Sequence, residues 1–83
     1  MAISAQVSVY PLGQESFIPP IDAAIAGLRG PGLETRVGPM STLVTGDADA
    51  VFAALRQAFE AAAASGATIM VATVTNACVS GVA

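Results

Sequence analysis

"ISAQVSVY" at residues 3–10, closed by "PLG" at residues 11–13, is the stretch that decides the fold. Ile3, Ala5, Val7 and Val9 alternate with Ser4, Gln6, Ser8 and Tyr10. A period of two gives a β-strand with one apolar face for a core and a second face that is polar yet uncharged. Pro11 and Gly13 then end the pairing. A sheet face exposed to water alone normally carries Lys, Glu or Arg. Gln6, Ser8 and Tyr10 instead suit a face that meets another surface.

Downstream, the period changes. Pro19 and Pro20 fit a first helical turn, where no amide donor is needed. Ile21, Ala24, Ile25 and Leu28 then form an apolar stripe, which predicts a helix within residues 16–29 stopped by Gly30-Pro31-Gly32. Leu33, Thr35 and Val37 alternate with Glu34 and Arg36 as a second strand. Gly38-Pro39 interrupts, and "MSTLVTG" at residues 40–46 resumes as a third. Pro39 cannot serve a central ladder, so strand two is expected at an edge. Asp47 is a good N-cap for a second helix, with Asp49 favourable near its positive end. Phe52, Leu55, Phe59 and Ala62 are its expected buried stripe, and "AAAASG" at residues 61–66 predicts a glycine C-cap. "ATIMVATVT" at residues 67–75 is the fourth strand.

The order β-α-β-β-α-β predicts an α+β, ferredoxin-like sandwich: a four-stranded antiparallel sheet with two helices on one face. The 83 residues make one domain, 1–83. On the outer sheet face the expected set is Gln6, Ser8, Tyr10, Ser41, Leu43, Thr45, Ile69, Val71, Thr73 and Thr75. Met40, Thr42, Val44, Met70, Ala72 and Val74 are expected beneath the helices, although both parities of strands three and four contain apolar residues.

Composition limits the function classes. Hydrophobic residues make up 54% and charged residues 11%, against roughly 25% charged in soluble domains. A small core cannot hide that surplus, so self-association is expected. Net charge is −3 with three arginines, which leaves no basic footprint for nucleic acid and no polybasic membrane anchor. The chain has no histidine and one cysteine, so no metal site, disulfide or histidine-based catalysis is expected. The first residues lack a basic n-region and no apolar run is long enough to span a bilayer, which points to a cytoplasmic protein. An apolar floor with a few convergent polar groups suits a small, flat heterocycle.

"SVYPLG" (8–13), "MSTLVTGDADAVF" (40–52) and "NAC" (76–78) together resemble the thiamine/hydroxymethylpyrimidine-binding proteins of the YkoF-like superfamily, including small single-domain thiamine-binding proteins. The resemblance spans about Ala5 to Gly81. It implies a non-catalytic binder of thiamine or its hydroxymethylpyrimidine moiety, with no cofactor beyond that ligand. It further implies a homodimer or homotetramer, acting beside thiamine uptake or salvage. Small members often have an acidic residue in strand one and an Asp/Arg-rich stretch after strand four. Here those places hold Gln6 and "TNACVSGVA".

The candidate ligand-binding residues are Gln6, Ser8, Tyr10, Ser41, Thr42, Leu43, Thr73, Asn76 and Cys78. Gln6 offers both a donor and an acceptor to an aminopyrimidine edge, or a hydrogen bond across a dimer interface. Tyr10 can stack on a ring or cover the sheet end. Ser41 and Thr42 could bond ring nitrogens or be ordinary strand residues. Asn76 and Cys78 follow strand four as pocket or packing residues, and Cys78 has nothing basic near it in sequence to activate it. Met40 is a soft pocket wall or core, with core favoured, and Phe52 and Phe59 are read as core. Glu34 is expected to pair with Arg36. The alternatives to a binder are a dimeric ferredoxin-like monooxygenase or isomerase, which needs a base this chain hardly supplies, and a regulatory or structural oligomer.

Overall fold

The alternation of residues 3–9 becomes the central strand β1 (Ala2–Pro11). The computed structural model describes residues 1–13, 16 and 18–77. After β1 come α1 (Ile18–Gly27), β2 (Glu34–Val37), β3 (Thr42–Asp47), α2 (Ala48–Ala63) and β4 (Thr68–Thr75). The sheet order is β2-β3-β1-β4, with every pairing antiparallel. This is the ferredoxin-like α+β fold, and β2 lies at an edge.

Register sets which residues share a face, because a slip of one residue would turn a strand inside out. Ala5 stands opposite Val44 on β3 and Val74 on β4, while Gln6 stands opposite Leu43 and Thr73. Met70, Ala72 and Val74 therefore share the helix-side face, and Ile69, Val71 and Thr73 the outer one. On the outer face Ser4 and Thr45 are nonetheless buried, joined through their hydroxyls at 3.0 Å.

The core is built from small side chains. Ile3, Ala5, Val7 and Val44 come from the sheet, Ala24 and Leu28 from α1, and Val51, Ala54, Leu55, Ala58 and Ala62 from α2. Small residues allow the two helices to approach closely: a Cβ on Gly27 would stand 2.9 Å from the Ala58 Cα. The Thr35 hydroxyl donates to the Leu28 carbonyl at 2.7 Å, satisfying a carbonyl just beyond the end of α1 and tying it to β2.

Helix α1, Ile18–Gly27, lies within the expected residues 16–29. Three expectations need correction. The buried stripe of α2 runs through Val51, Leu55, Ala58 and Ala62, and Phe52 and Phe59 are exposed at 54% and 38%. At 3.6 residues per turn the arc through Val51, Leu55, Ala58 and Ala62 faces the core, and both rings fall on its flank. Met40 does not pack inward; it is 87% exposed, because β3 begins only at Thr42. The C-cap of α2 is Ala64 in right-handed conformation, and Gly66 takes its positive φ of 149° two residues later.

Asp47 caps α2 as expected, accepting from the Asp49 amide at 3.3 Å. It also accepts from the Met1 amino group at 3.1 Å. That hydrogen bond, the bond from Asp49 and the amino group's positive charge hold the Asp47 carboxyl below the usual carboxylate range. A depressed folded-state pKa stabilises the fold above the ordinary value and loses that effect as pH falls through the folded value. Thermal midpoints should therefore drop below about pH 4, and Asp47→Asn should flatten that part of the profile. An unchanged slope in the variant would exclude Asp47 as its source.

Candidate ligand-binding site

Strand β1 outlasts its neighbour. Its pairing with β3 ends at Val7 opposite Thr42, while its pairing with β4 continues to Pro11 opposite Thr68. Beyond Val7, β1 therefore has no strand on its β3 side among the described residues. The β2–β3 connection, Gly38 to Ser41, stands across this notch and is closed by a hydrogen bond from the Gly38 amide to the Ser41 carbonyl at 2.9 Å. Helix α1 lies beneath.

The result is a cavity of about 240 Å³. Its floor is apolar, from Val7, Val9, Ile21, Ala24, Ile25 and Leu28. Ser8, Tyr10, Ser41 and Thr42 supply the polar groups, and Val37 to Met40 form the remaining wall. Among the described residues no charged side chain lines it. Arg36 pairs with Glu34 at 3.5 Å and Arg56 with Glu60 at 3.5 Å, both on the exposed surface.

Polar contacts hold the connection against β1. The Gln6 amide donates to the Ser41 hydroxyl at 3.0 Å, and the Ser8 hydroxyl donates to the Met40 carbonyl at 3.4 Å. Thr42 differs. It is only 7% exposed and lines the cavity, yet its hydroxyl has no hydrogen-bond partner among the described residues. A buried hydroxyl is ordinarily satisfied, and here the space beside it is the cavity.

Four of the candidates from sequence, Ser8, Tyr10, Ser41 and Thr42, thus meet at one cavity, and Gln6 reaches it through Ser41. Leu43 and Thr73 lie farther along the outer face, in register with Gln6. Asn76 is near the other end of β1, its amide 3.7 Å from the Met1 sulfur. Cys78 lies outside the described residues. Sequence reasoning missed the floor, because Ile21, Ala24, Ile25 and Leu28 read as an ordinary core stripe. The available signal was length: "ISAQVSVY" is longer than the strand that follows Gly38-Pro39.

The family model for thiamine-binding proteins matches residues 5–76 of this sequence. The chain belongs to the thiamine-binding protein family. All the cavity-lining residues of this thiamine-binding family member lie within the matched span. Its fold is similar to that of a Streptococcus pneumoniae protein, at TM-score 0.85 and 25% identity over 99% of this chain and 93% of that one. A hypothetical protein from Methanocaldococcus jannascii gives 0.84 and 22% over 93% and 81%. A Thermotoga maritima protein named for thiamine biosynthesis or salvage gives 0.76 and 17% over 89% and 82%. No curated protein matches the sequence. Among the described residues of this family member, no helix is long and apolar enough to cross a membrane.

Proposed function

We propose that the protein binds thiamine, or its hydroxymethylpyrimidine moiety, without transforming it, and that the pyrimidine enters the notch beside β1. The observation behind this reading is the Thr42 hydroxyl: buried, without a hydrogen-bond partner among the described residues, and facing a cavity whose described lining is uncharged and has an apolar floor. A neutral aminopyrimidine offers ring nitrogens and an exocyclic amine to Thr42, Ser8 and Ser41, and a flat face to Tyr10. The thiazolium of thiamine then projects toward water. Among the described residues no carboxylate lines the cavity, and the sequence has no histidine, which favours binding over acid–base chemistry.

The outer face supports an assembly. Tyr10, Ile69 and Val71 are 52%, 48% and 53% exposed there, an apolar patch suited to a second copy that adds a wall beside the cavity mouth. In this reading a homodimer or homotetramer serves thiamine uptake or salvage in the cytoplasm.

Calorimetric titration with thiamine and with hydroxymethylpyrimidine tests the ligand. Saturation at a hundred times the dissociation constant should stabilise the fold by about 2.7 kcal/mol. Thr42→Val should weaken binding about tenfold, by one hydrogen bond, while leaving the apo protein as stable or more so, since it removes an unsatisfied buried hydroxyl. No heat and no thermal shift at millimolar ligand would overturn the assignment. Undiminished affinity in Thr42→Val would remove the pyrimidine from this cavity.

A further inference from the structure

In an antiparallel sheet each residue of an inner strand turns its N–H and C=O together toward one neighbour, and the next residue turns them toward the other. Two hydrogen bonds set this phase for β1. The Leu12 amide donates to the Ala67 carbonyl at 2.9 Å, one step beyond the pairing of Pro11 with Thr68 on β4. Even-numbered residues of β1, Ser8 and Tyr10 among them, therefore direct their main-chain groups to β4. The Met1 carbonyl accepts from the Ala48 amide at 2.8 Å, one step beyond the pairing of Ala2 with Asp47 on β3. Odd-numbered residues therefore address β3.

The pairing with β3 stops at Val7 opposite Thr42. The next odd residue is Val9, which is half-buried and lines the cavity. Its amide and carbonyl point into the notch, and among the described residues neither meets a hydrogen-bond partner. Pro11, the odd residue after it, agrees with this phase. A proline has no amide to donate, and it sits where β1 has no β3 ladder to serve. Main-chain polar groups withdrawn from water are ordinarily paired, so the Val9 pair and the Thr42 hydroxyl leave three polar groups open to one cavity.

We propose that the Val9 amide and carbonyl read the edge of the pyrimidine, a role that rests on the pyrimidine occupying this notch. The ligand takes the ladder position that β3 vacates. One donor beside one acceptor on the strand calls for one acceptor beside one donor on the ligand. An aminopyrimidine has this edge: a ring nitrogen accepts, and the exocyclic amine next to it donates. The second ring nitrogen remains for the Thr42 hydroxyl. A cavity of about 240 Å³, crossed by the Gly38–Ser41 connection, suits one small ring and leaves no length for an added strand. The Val9 groups are held by the β4 ladder rather than by a rotamer, so they meet the ligand without side-chain ordering to offset. They also select. A pyrimidine with a ring carbonyl in place of the amine presents its donor and acceptor in exchanged order. It matches Val9 only when turned over, which carries its other ring nitrogen away from Thr42. Either way a polar group built to pair is left unpaired.

Residue-resolved amide hydrogen exchange on the intact protein tests this, beside calorimetry with thiamine, hydroxymethylpyrimidine and the oxo analogue of hydroxymethylpyrimidine. Without ligand the Val9 amide should exchange about 100-fold or more faster than those of Ser8 and Tyr10, which face β4. Saturating hydroxymethylpyrimidine should slow Val9 about tenfold or more, and the oxo analogue should bind about tenfold or more weakly. Val9→Pro removes the donor at a position that serves no ladder. It should weaken hydroxymethylpyrimidine binding about tenfold with the circular dichroism of a folded protein. Exchange on the wild type decides the matter if that variant does not fold. Heat of binding with Val9 exchange unchanged would overturn the role of Val9 and leave the ligand assignment standing, as would equal affinity for the oxo analogue or for folded Val9→Pro. No heat with thiamine or hydroxymethylpyrimidine would overturn both. Val9 protection that matches its neighbours without ligand, or that rises with protein concentration, would show the edge already taken and would overturn the role as well.

Discussion

Replacing Ala24 by leucine should abolish binding of thiamine and of hydroxymethylpyrimidine while the protein remains folded. Ala24 is 1% exposed and lies in the cavity floor on α1, next to Ile25 and Leu28. A leucine there projects three more carbon atoms into a space of about 240 Å³. A ring that must lie flat on this floor loses its seat, and the loss should be at least 100-fold, about 2.8 kcal/mol. The measurement is the ligand-induced thermal shift, read beside the apo midpoint. Ala24 is also a core residue, so the added carbons are expected to cost the apo protein about 1–3 kcal/mol of overpacking, which the apo midpoint reads separately. Ile25→Phe narrows the same floor from a half-buried position and serves as the second variant. A normal ligand shift in both folded variants would place the site elsewhere, and the open sheet face would be the next place to look.

Replacing Gly27 by valine should lower the unfolding free energy by about 3 kcal/mol or more. A Cβ at this position would come within 2.9 Å of both the Cα and the amide nitrogen of Ala58. These are backbone atoms and cannot rotate away, so α1 and α2 must separate. Separation opens the contacts of Ala24 and Leu28 with the α2 core residues, and it also tilts the cavity floor. Denaturant unfolding should show the lower midpoint with an unchanged slope, and ligand affinity should fall with it. A valine variant within 0.5 kcal/mol or so of wild type, the range of ordinary surface substitutions, would show that the helices tolerate the separation.

Much of the fold is legible in the sequence because its signals are local. The period-two pattern of Ile3 to Val9, the prolines at the start of α1 and the Asp47 cap each specify a few consecutive residues. β1 sits at the centre of the sheet, and its register carried the parity of its neighbours with it. The stripe of α2 was misread for a physical reason. Phenylalanine is more hydrophobic than alanine, so Phe52 and Phe59 look like core. Burial depends on which arc of the helix meets the sheet, and at 3.6 residues per turn the arc through Val51, Leu55, Ala58 and Ala62 leaves Phe52 and Phe59 on its flank.

The candidate site divides in the same way. Ser8, Tyr10, Ser41 and Thr42 stand out as polar residues near strand ends, and the family resemblance adds the kind of ligand they would meet. Leu43 and Thr73 were grouped with them by parity alone, and parity says which face a residue occupies without saying how far along the strand it lies.

By itself the sequence determined the element order, the faces of β1 and the thiamine-binding family, since each rests on spacing between near neighbours or on motifs along the chain. Only the tertiary structure decided that β1 overhangs β3, that α1 floors the resulting notch, that Thr42 is buried without a hydrogen-bond partner among the described residues, and that Phe52 and Phe59 are exposed. Those facts depend on strand register and on how each helix is seated on the sheet, which arise from contacts between residues far apart in the chain.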